Sequence, residues 1–364
     1  MQVIRHWINQ SLARMLPTPQ ALSFLVILLL GGFIIIRLSD MLLPVMIAVV
    51  IAYLLEGLVR FGEREKLPRN LSVMLVFLLF MASLLFVLVA LLPVLYKQSM
   101  QLVSQMPVWI AEVQTLLNTL PERYPEYVTQ EHLQEVIYSL RRELLNLGHA
   151  MLSMSFSSIL GILTVGIYLI LVPLLVFLLM IDKIRILGWC AQYLPEERDL
   201  WLKVWREVDA QLGNYIRGKV FEIVALFVVS HLVFSLFGLN YALLLAVIMG
   251  ISVIIPYVGA TLVTLPVFMV GFFQWGLSEQ FAWLALAYAV VQALDGMLLV
   301  PLLFSEVVNL HPVAIMLAIL FFGDLWGFWG VFFAIPLATL IKAILSAWPH
   351  INDASARRPS SGVF

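Results

Sequence analysis

The chain has 364 residues, 62% hydrophobic and 12% charged, with a formal net charge of −1 and a mean hydropathy of +1.01. Soluble domains run at roughly 45–50% apolar and about 25% charged, so a water-soluble globule is excluded, and a near-zero charge offers no basic field to nucleic acid. The lone Cys190 excludes an internal disulfide, and six scattered histidines lack zinc-site spacing, so an integral membrane protein with no metal or other cofactor is expected.

Residues 1–20 are expected to form a cytoplasmic or interfacial N-terminal segment. Ile4, Trp7, Ile8, Leu12, Met15 and Leu16 share one helical face, with Arg5, Asn9 and Gln10 off it; an unstructured basic tail is the bland alternative. No small-residue cleavage site follows, which argues against a cleaved signal peptide. Residues 21–96 hold three predicted spans, at about 21–37, 41–59 and 71–96. Each is close to the ~20 apolar residues that cross a ~30 Å hydrocarbon core. Residues 97–154 differ: Leu102, Met106, Trp109, Val113 and Leu116 repeat at helical spacing, as do Leu133, Val136, Ile137, Leu140 and Leu144. Pro121 and Pro125 separate the two runs, which predicts an extracytoplasmic insert of amphipathic helices. A fourth span fills 155–181, and 182–218 reads as a cytoplasmic amphipathic helical segment.

Lys and Arg concentrate in the N-terminal segment, in 60–70, in 182–219 and in the 347–364 tail, whereas 97–154 leans acidic. The positive-inside rule therefore puts both termini in the cytoplasm and the insert outside. Four spans return the chain to the cytoplasm at 182, in agreement with the charges.

Residues 219–346 are expected to be a transport core: a helix at 219–238, a broken segment at 240–275, a helix at 281–304 and a broken segment at 311–346. The run Leu239–Gly250 has an echo in Leu310–Leu320, and Gly259 and Pro266 keep step with Gly330 and Pro336. The two copies enter the membrane in opposite directions. Such an inverted repeat of helix plus broken hairpin places a transport site near the midplane. The fold class is thus an all-α polytopic membrane protein of about eight hydrophobic segments.

Two breaks carry the candidate chemistry. In the first, Pro256 removes a helical donor, Tyr257 follows, and Gly259 permits unusual backbone angles; such backbone is tolerated at membrane depth only where it is buried or lines a cavity. A plain helix-joining tip is the structural alternative. The second break contains Gly323, Gly327 and Gly330 among bulky aromatics, which suits close helix packing. Asp324 lies within it, and a carboxylate there costs ~2.5–3.5 kcal/mol on insertion scales, so a cavity or partner is expected. Asp295 and Gln292 share a face of the 281–304 helix, a pair able to present acceptor and donor groups to one ligand; a structural hydrogen bond is the alternative. Glu222 and His231 are further candidates for substrate or ion binding. Snorkelling or pairing with Lys219 is the blander account of Glu222, and packing that of His231. Pro301, Glu306, Asn309, His311 and Pro312 cluster toward the cytoplasmic rim as gating or capping residues, with Asn309 suited to cap the next helix.

No Gly-x-Ser-x-Gly elbow, His-Glu-x-x-His or Walker loop occurs, so neither an enzyme nor an ATP-driven pump is expected. The strings Asp295-Gly296-Met297-Leu298-Leu299-Val300-Pro301, Asn309-Leu310-His311-Pro312 and Gly327–Leu337, with Ile255-Pro256-Tyr257-Val258-Gly259, resemble the autoinducer-2 exporter family, most closely its permease branch. That resemblance implies a bacterial inner-membrane homo-oligomer, a pentamer, and either export of an autoinducer-2-like molecule or sodium/proton antiport. The expected function is export of a small polar solute by a secondary transporter, coupled to H+ or Na+, with a sodium/proton antiporter as the first alternative. From another class comes a non-transporting scaffold that presents 97–154 to an envelope partner.

Overall fold

Long runs of Leu, Ile, Val and Ala satisfy their backbone groups within the segment when they coil, which is what lipid requires of a single span. A computed structural model describes residues 31–32, 37–118, 138–139, 142, 159–193, 199–256, 258–304 and 310–347, and their regular structure is all helical. The N-terminal segment, most of the first predicted span, the second half of the insert and the C-terminal tail lie outside the described residues, as do Tyr257, Glu306 and Asn309.

The helices are α1 (Ser39–Arg64), α2 (Arg69–Phe86), α3 (Leu92–Asn118), α4 (Ile159–Ile181), α5 (Lys183–Ala191), α6 (Asp199–Leu236), α7 (Ala242–Ser252), α8 (Val258–Trp275), α9 (Glu279–Leu294), α10 (Val300–Phe304) and α11 (Pro312–Ala347). Among the described residues, seven helices are long and apolar enough to cross a membrane, while α7 is a shorter apolar helix. Many large apolar side chains stay exposed, Leu236 and Met297 among them. In water they would form a patch that needs covering; lipid accommodates them.

Two π-helical turns interrupt otherwise continuous helices, at Val87–Leu91 between α2 and α3 and at Asp295–Leu299 between α9 and α10. Each closes just ahead of a proline, Pro93 and Pro301. A proline ring clashes with the carbonyl one turn back, and widening the preceding turn relieves that clash without ending the helix. Helix therefore runs unbroken from 69 to 118, through the predicted boundary at 96/97. Likewise α6 passes straight through 218/219. The charge steps at these points do not end the helices.

The described residues fall into two compact units. One draws on Met1–Val73, Leu174–Val220 and Val300–Phe364, the other on Met74–Pro173 and Phe221–Leu299. In the first, Tyr215, Ile216, Phe304, Ile315 and Ile335 form a buried cluster, and the Tyr215 hydroxyl donates to the Phe332 carbonyl at 2.9 Å. In the second, Leu226, Phe234, Leu245, Met249, Val267 and Leu284 build the core. There α7 packs on α8, Trp109 stacks on Phe273 at 4.8 Å, and the Gln98 side-chain oxygen accepts from the Leu244 amide at 2.9 Å. The helix that carries Gln98 and Trp109 is thus bonded to the start of α7.

Candidate functional site

The first break lies where Pro256 and Gly259 predict it. After Ser252 the chain turns through 253–256 and restarts as α8, with the Ile255 amide donating to the Ser252 carbonyl at 3.1 Å and the Gly259 amide to the Ile255 carbonyl at 2.9 Å. A side chain on Gly259 would run into the Ser252 carbonyl, so only glycine lets the two arms meet so closely. Just beyond, the Ala260 carbonyl accepts from the Thr264 hydroxyl at 2.9 Å, the Tyr288 hydroxyl at 3.2 Å and the Gln292 amide at 3.4 Å. Tyr288 and Thr264 lie 2.9 Å apart, and Gln292 also donates to the Tyr288 oxygen at 2.8 Å. Gln292 therefore turns its amide toward the break, tying α9 to the start of α8.

Asp295 sits one turn beyond Gln292, is 8% exposed, and opens the second π turn. Such turns redirect side chains locally and recur at functional sites. Pro301 follows that turn on an exposed face.

The second break falls at Gly327, whose φ of 57° and ψ of −133° split α11 into two arms. Those angles belong to glycine alone. Here a side chain on Gly330 would run into the Phe322 carbonyl, and one on Gly323 would stand 3.0 Å from Val331 Cγ2. Asp324 is exposed rather than enclosed by its own unit, and the buried Trp326 indole N–H meets no acceptor among the described residues. Pro336 lies in the second arm, where its carbonyl accepts from the Thr339 hydroxyl at 2.8 Å.

The remaining candidates sort themselves by surroundings. Lys219 and Glu222, one turn apart on α6, are 4% and 2% exposed, so neither snorkels to a surface. The Lys219 ammonium lies 5.4 Å from the centre of the Phe304 ring, within cation–π range. His231 is half-buried, stacks on Phe227 at 6.0 Å and lies 3.5 Å from the Ser235 hydroxyl. Both of these partners lie on its own helix. At the start of α11, His311 accepts from the Val313 amide through Nδ1 at 3.3 Å, and its carbonyl accepts from the Ala314 and Ile315 amides. His311 caps the helix, with Pro312 at the first position, where a missing N–H costs nothing.

Sequence reasoning passed over Glu56. It is 6% exposed and meets Lys183 at 2.9 Å, Arg69 at 3.3 Å and Arg60 at 3.8 Å. Arg69 also bonds Glu63 at 3.1 Å and the Met180 carbonyl at 3.1 Å. A glutamate inside a predicted span was the available signal. Beside this cluster lies a cavity of about 450 Å³, into which Tyr53, Glu56, Arg60, Lys183, Asp209 and Arg217 project.

Comparison with known proteins now gives this architecture relatives. Residues 22–350 match the model of a family described as AI-2E family transporter. The chain is 43% identical over 349 residues to the "Putative permease PerM" of Escherichia coli (strain K12), covering 96% of this chain and 98% of that one. It is 31% identical over 317 residues to the "Putative transport protein YueF" of Bacillus subtilis (strain 168), covering 85% and 84% of the two chains. The "Putative transport protein YrrI" of the same organism is 27% identical over 308 residues, covering 83% and 85%.

Proposed function

From the premise that this chain belongs to the AI-2E transporter family, we propose that it is a secondary transporter of the bacterial inner membrane, moving a small polar solute without ATP. The observation that carries this is the likeness of the two breaks, Gly259 pressed on the Ser252 carbonyl and Gly330 on the Phe322 carbonyl, which supports reading 219–346 as a repeat. Interrupted segments at corresponding positions of two halves are the pattern of secondary transporters. On this view the helical elements make eight membrane segments, the breaks are re-entrant, and both termini are cytoplasmic.

Within that frame Asp295 is the solute- or ion-binding carboxylate, buried at a widened turn and one turn from the fixed Gln292. Asp324, exposed on one chain, serves at a surface completed by a further copy in a homo-oligomer, a pentamer by family resemblance. Acids in the core, with no arginine between Arg217 and Arg357, suit a cation or a neutral polyol, such as an autoinducer-2-like molecule, better than an anion. Export coupled to H+ or Na+ follows, and sodium/proton antiport remains the alternative.

Purified protein in vesicles, given candidate solutes under imposed pH and sodium gradients, tests this. Solute flux should follow one gradient and fall at least ~10-fold in Asp295→Asn, on the scale of a lost charge-assisted contact, while the oligomer stays intact. Unchanged flux in both Asp295→Asn and Asp324→Asn would instead favour a scaffold that presents 97–154 to an envelope partner.

A further inference from the structure

The cavity beside Glu56 lies wholly within one compact unit and is unused by the transport proposal. Its carboxylates are engaged already. Asp209 accepts from the Tyr53 hydroxyl at 2.6 Å, and Glu56 is held by Lys183 and Arg69. Arg217 is different. Its guanidinium donates to the Asn214 side chain at 2.9 Å, and among the described residues no carboxylate reaches it within ion-pair distance.

That guanidinium has a built seat. A side chain on Gly57 would stand 3.0 Å from its Cδ, and one on Gly213 would stand 3.2 Å from both terminal nitrogens. Two glycines on different helices thus leave the slot that Arg217 fills. Arg60 lines the same cavity, close enough to Arg217 for the two to repel, while Asp209 and Glu56 attract Arg217 from beyond ion-pair range. Arg217, with no carboxylate in ion-pair range among the described residues, and the half-exposed Arg60, only loosely paired with Glu56, leave N–H donors free for an oxyanion, and the arginine fork matches phosphate oxygens two at a time.

The rest of the wall is apolar: Val49, Leu179, Leu187, Trp205 and Leu212. A soluble phosphate ester would leave that wall wet, whereas an acyl chain would dry it. The cations come from 60–70 and 182–219, which the positive-inside rule assigns to the cytoplasmic face, where anionic headgroups attract basic pockets. We propose that this cavity binds an anionic phospholipid, its phosphate on Arg217 and Arg60 and one acyl chain along the Leu179–Leu187–Trp205 wall. Such binding stands whether or not a solute is moved.

The test uses the full chain, stripped of lipid in detergent and titrated with phosphatidylglycerol, phosphatidylcholine and glycerol phosphate, with bound lipid read by native mass spectrometry. Phosphatidylglycerol should bind at least ~10-fold more tightly than phosphatidylcholine, and Arg217→Gln should remove about that factor, with the oligomer profile unchanged. Gly213→Ala keeps the charge but pushes the guanidinium aside. It should also weaken phosphatidylglycerol, and it answers the question should Arg217→Gln fail to fold. Equal binding of the two lipids overturns the proposal, as does wild-type affinity in a folded Arg217→Gln or Gly213→Ala variant. Glycerol phosphate binding as tightly as phosphatidylglycerol overturns it in favour of a soluble anion.

Discussion

The two broken segments reach the same crossing by different chemistry. In the first, α7 ends at Ser252, a turn runs through to Pro256, and the Ala260 carbonyl beyond it accepts three side-chain donors. The second has no proline at its break: Gly327 turns the chain through backbone angles closed to other residues, Asp324 is exposed and the Trp326 indole meets no acceptor among the described residues. Yet each ends with a glycine against a backbone carbonyl, Gly259 on Ser252 and Gly330 on Phe322. The close approach of the arms is therefore common to both, while side-chain bonding closes the first break and leaves the second open. A region with fewer fixed hydrogen bonds opens at lower free energy, so movement during transport is expected at the second break.

The harshest way to break this comparison is to add one carbon at the crossings. Gly259→Ala and Gly330→Ala each force a Cβ into a backbone carbonyl that cannot swing away, so the loss should lie at or above the top of the ~1–3 kcal/mol range for overpacking. Thermal midpoints in detergent and the yield of monodisperse protein would show it, with Gly296→Ala as control, since a Cβ there meets nothing within 4 Å. Equal midpoints for Gly259→Ala and Gly296→Ala would refute the tight crossing. Next comes Gly327→Ala. A Cβ there also meets nothing within 4 Å, so the penalty is torsional alone, about 1–3 kcal/mol, and should fall on the second break only.

A smaller effect separates the closed break from the open one. Tyr288→Phe and Thr264→Val each delete a hydroxyl from the Ala260 cluster and should cost about 0.5–1.5 kcal/mol. Because the hydroxyls are 2.9 Å apart, the double variant should depart from additivity by at least ~0.5 kcal/mol. Asp324→Asn, at the open break, should leave the midpoint unchanged within ~0.5 kcal/mol. A large stability loss from Asp324→Asn would remove the contrast between the breaks.

What the sequence made legible was mostly local. Pro256 and Gly259, and the glycines from 323 to 330, announce their breaks because donor loss and missing side chains act within a turn or two of themselves. Pro93 and Pro301 were equally visible, yet their outcome was not. Whether a proline stops a helix or widens the turn before it depends on what packs around that turn. The charge steps near 96 and 218 likewise leave the helices continuous, because a change of side-chain charge does not by itself interrupt backbone hydrogen bonding. Glu56 shows the other limit. Its partner Lys183 lies 127 residues away, and no periodicity within α1 points to that pairing. The lone carboxylate in an apolar stretch was the signal, as it was for Asp295.

His231 provides the smallest predicted effect and the cleanest check that chemistry belongs to the breaks. It lies on α6, outside both, and its neighbours Phe227 and Ser235 are one turn away in each direction. Phenylalanine keeps a flat ring over Phe227 and gives up a contact to Ser235 that is already long at 3.5 Å. His231→Phe should therefore shift the thermal midpoint by no more than ~0.5 kcal/mol equivalent and leave the pH profile of flux in place. An imidazole that carried the transported proton would set part of the pH dependence of flux, and its loss would flatten the profile. A flattened profile in His231→Phe would thus move proton handling from Asp295 to α6, and the widened turn at Asp295–Leu299 would then be read as Pro301's relief alone.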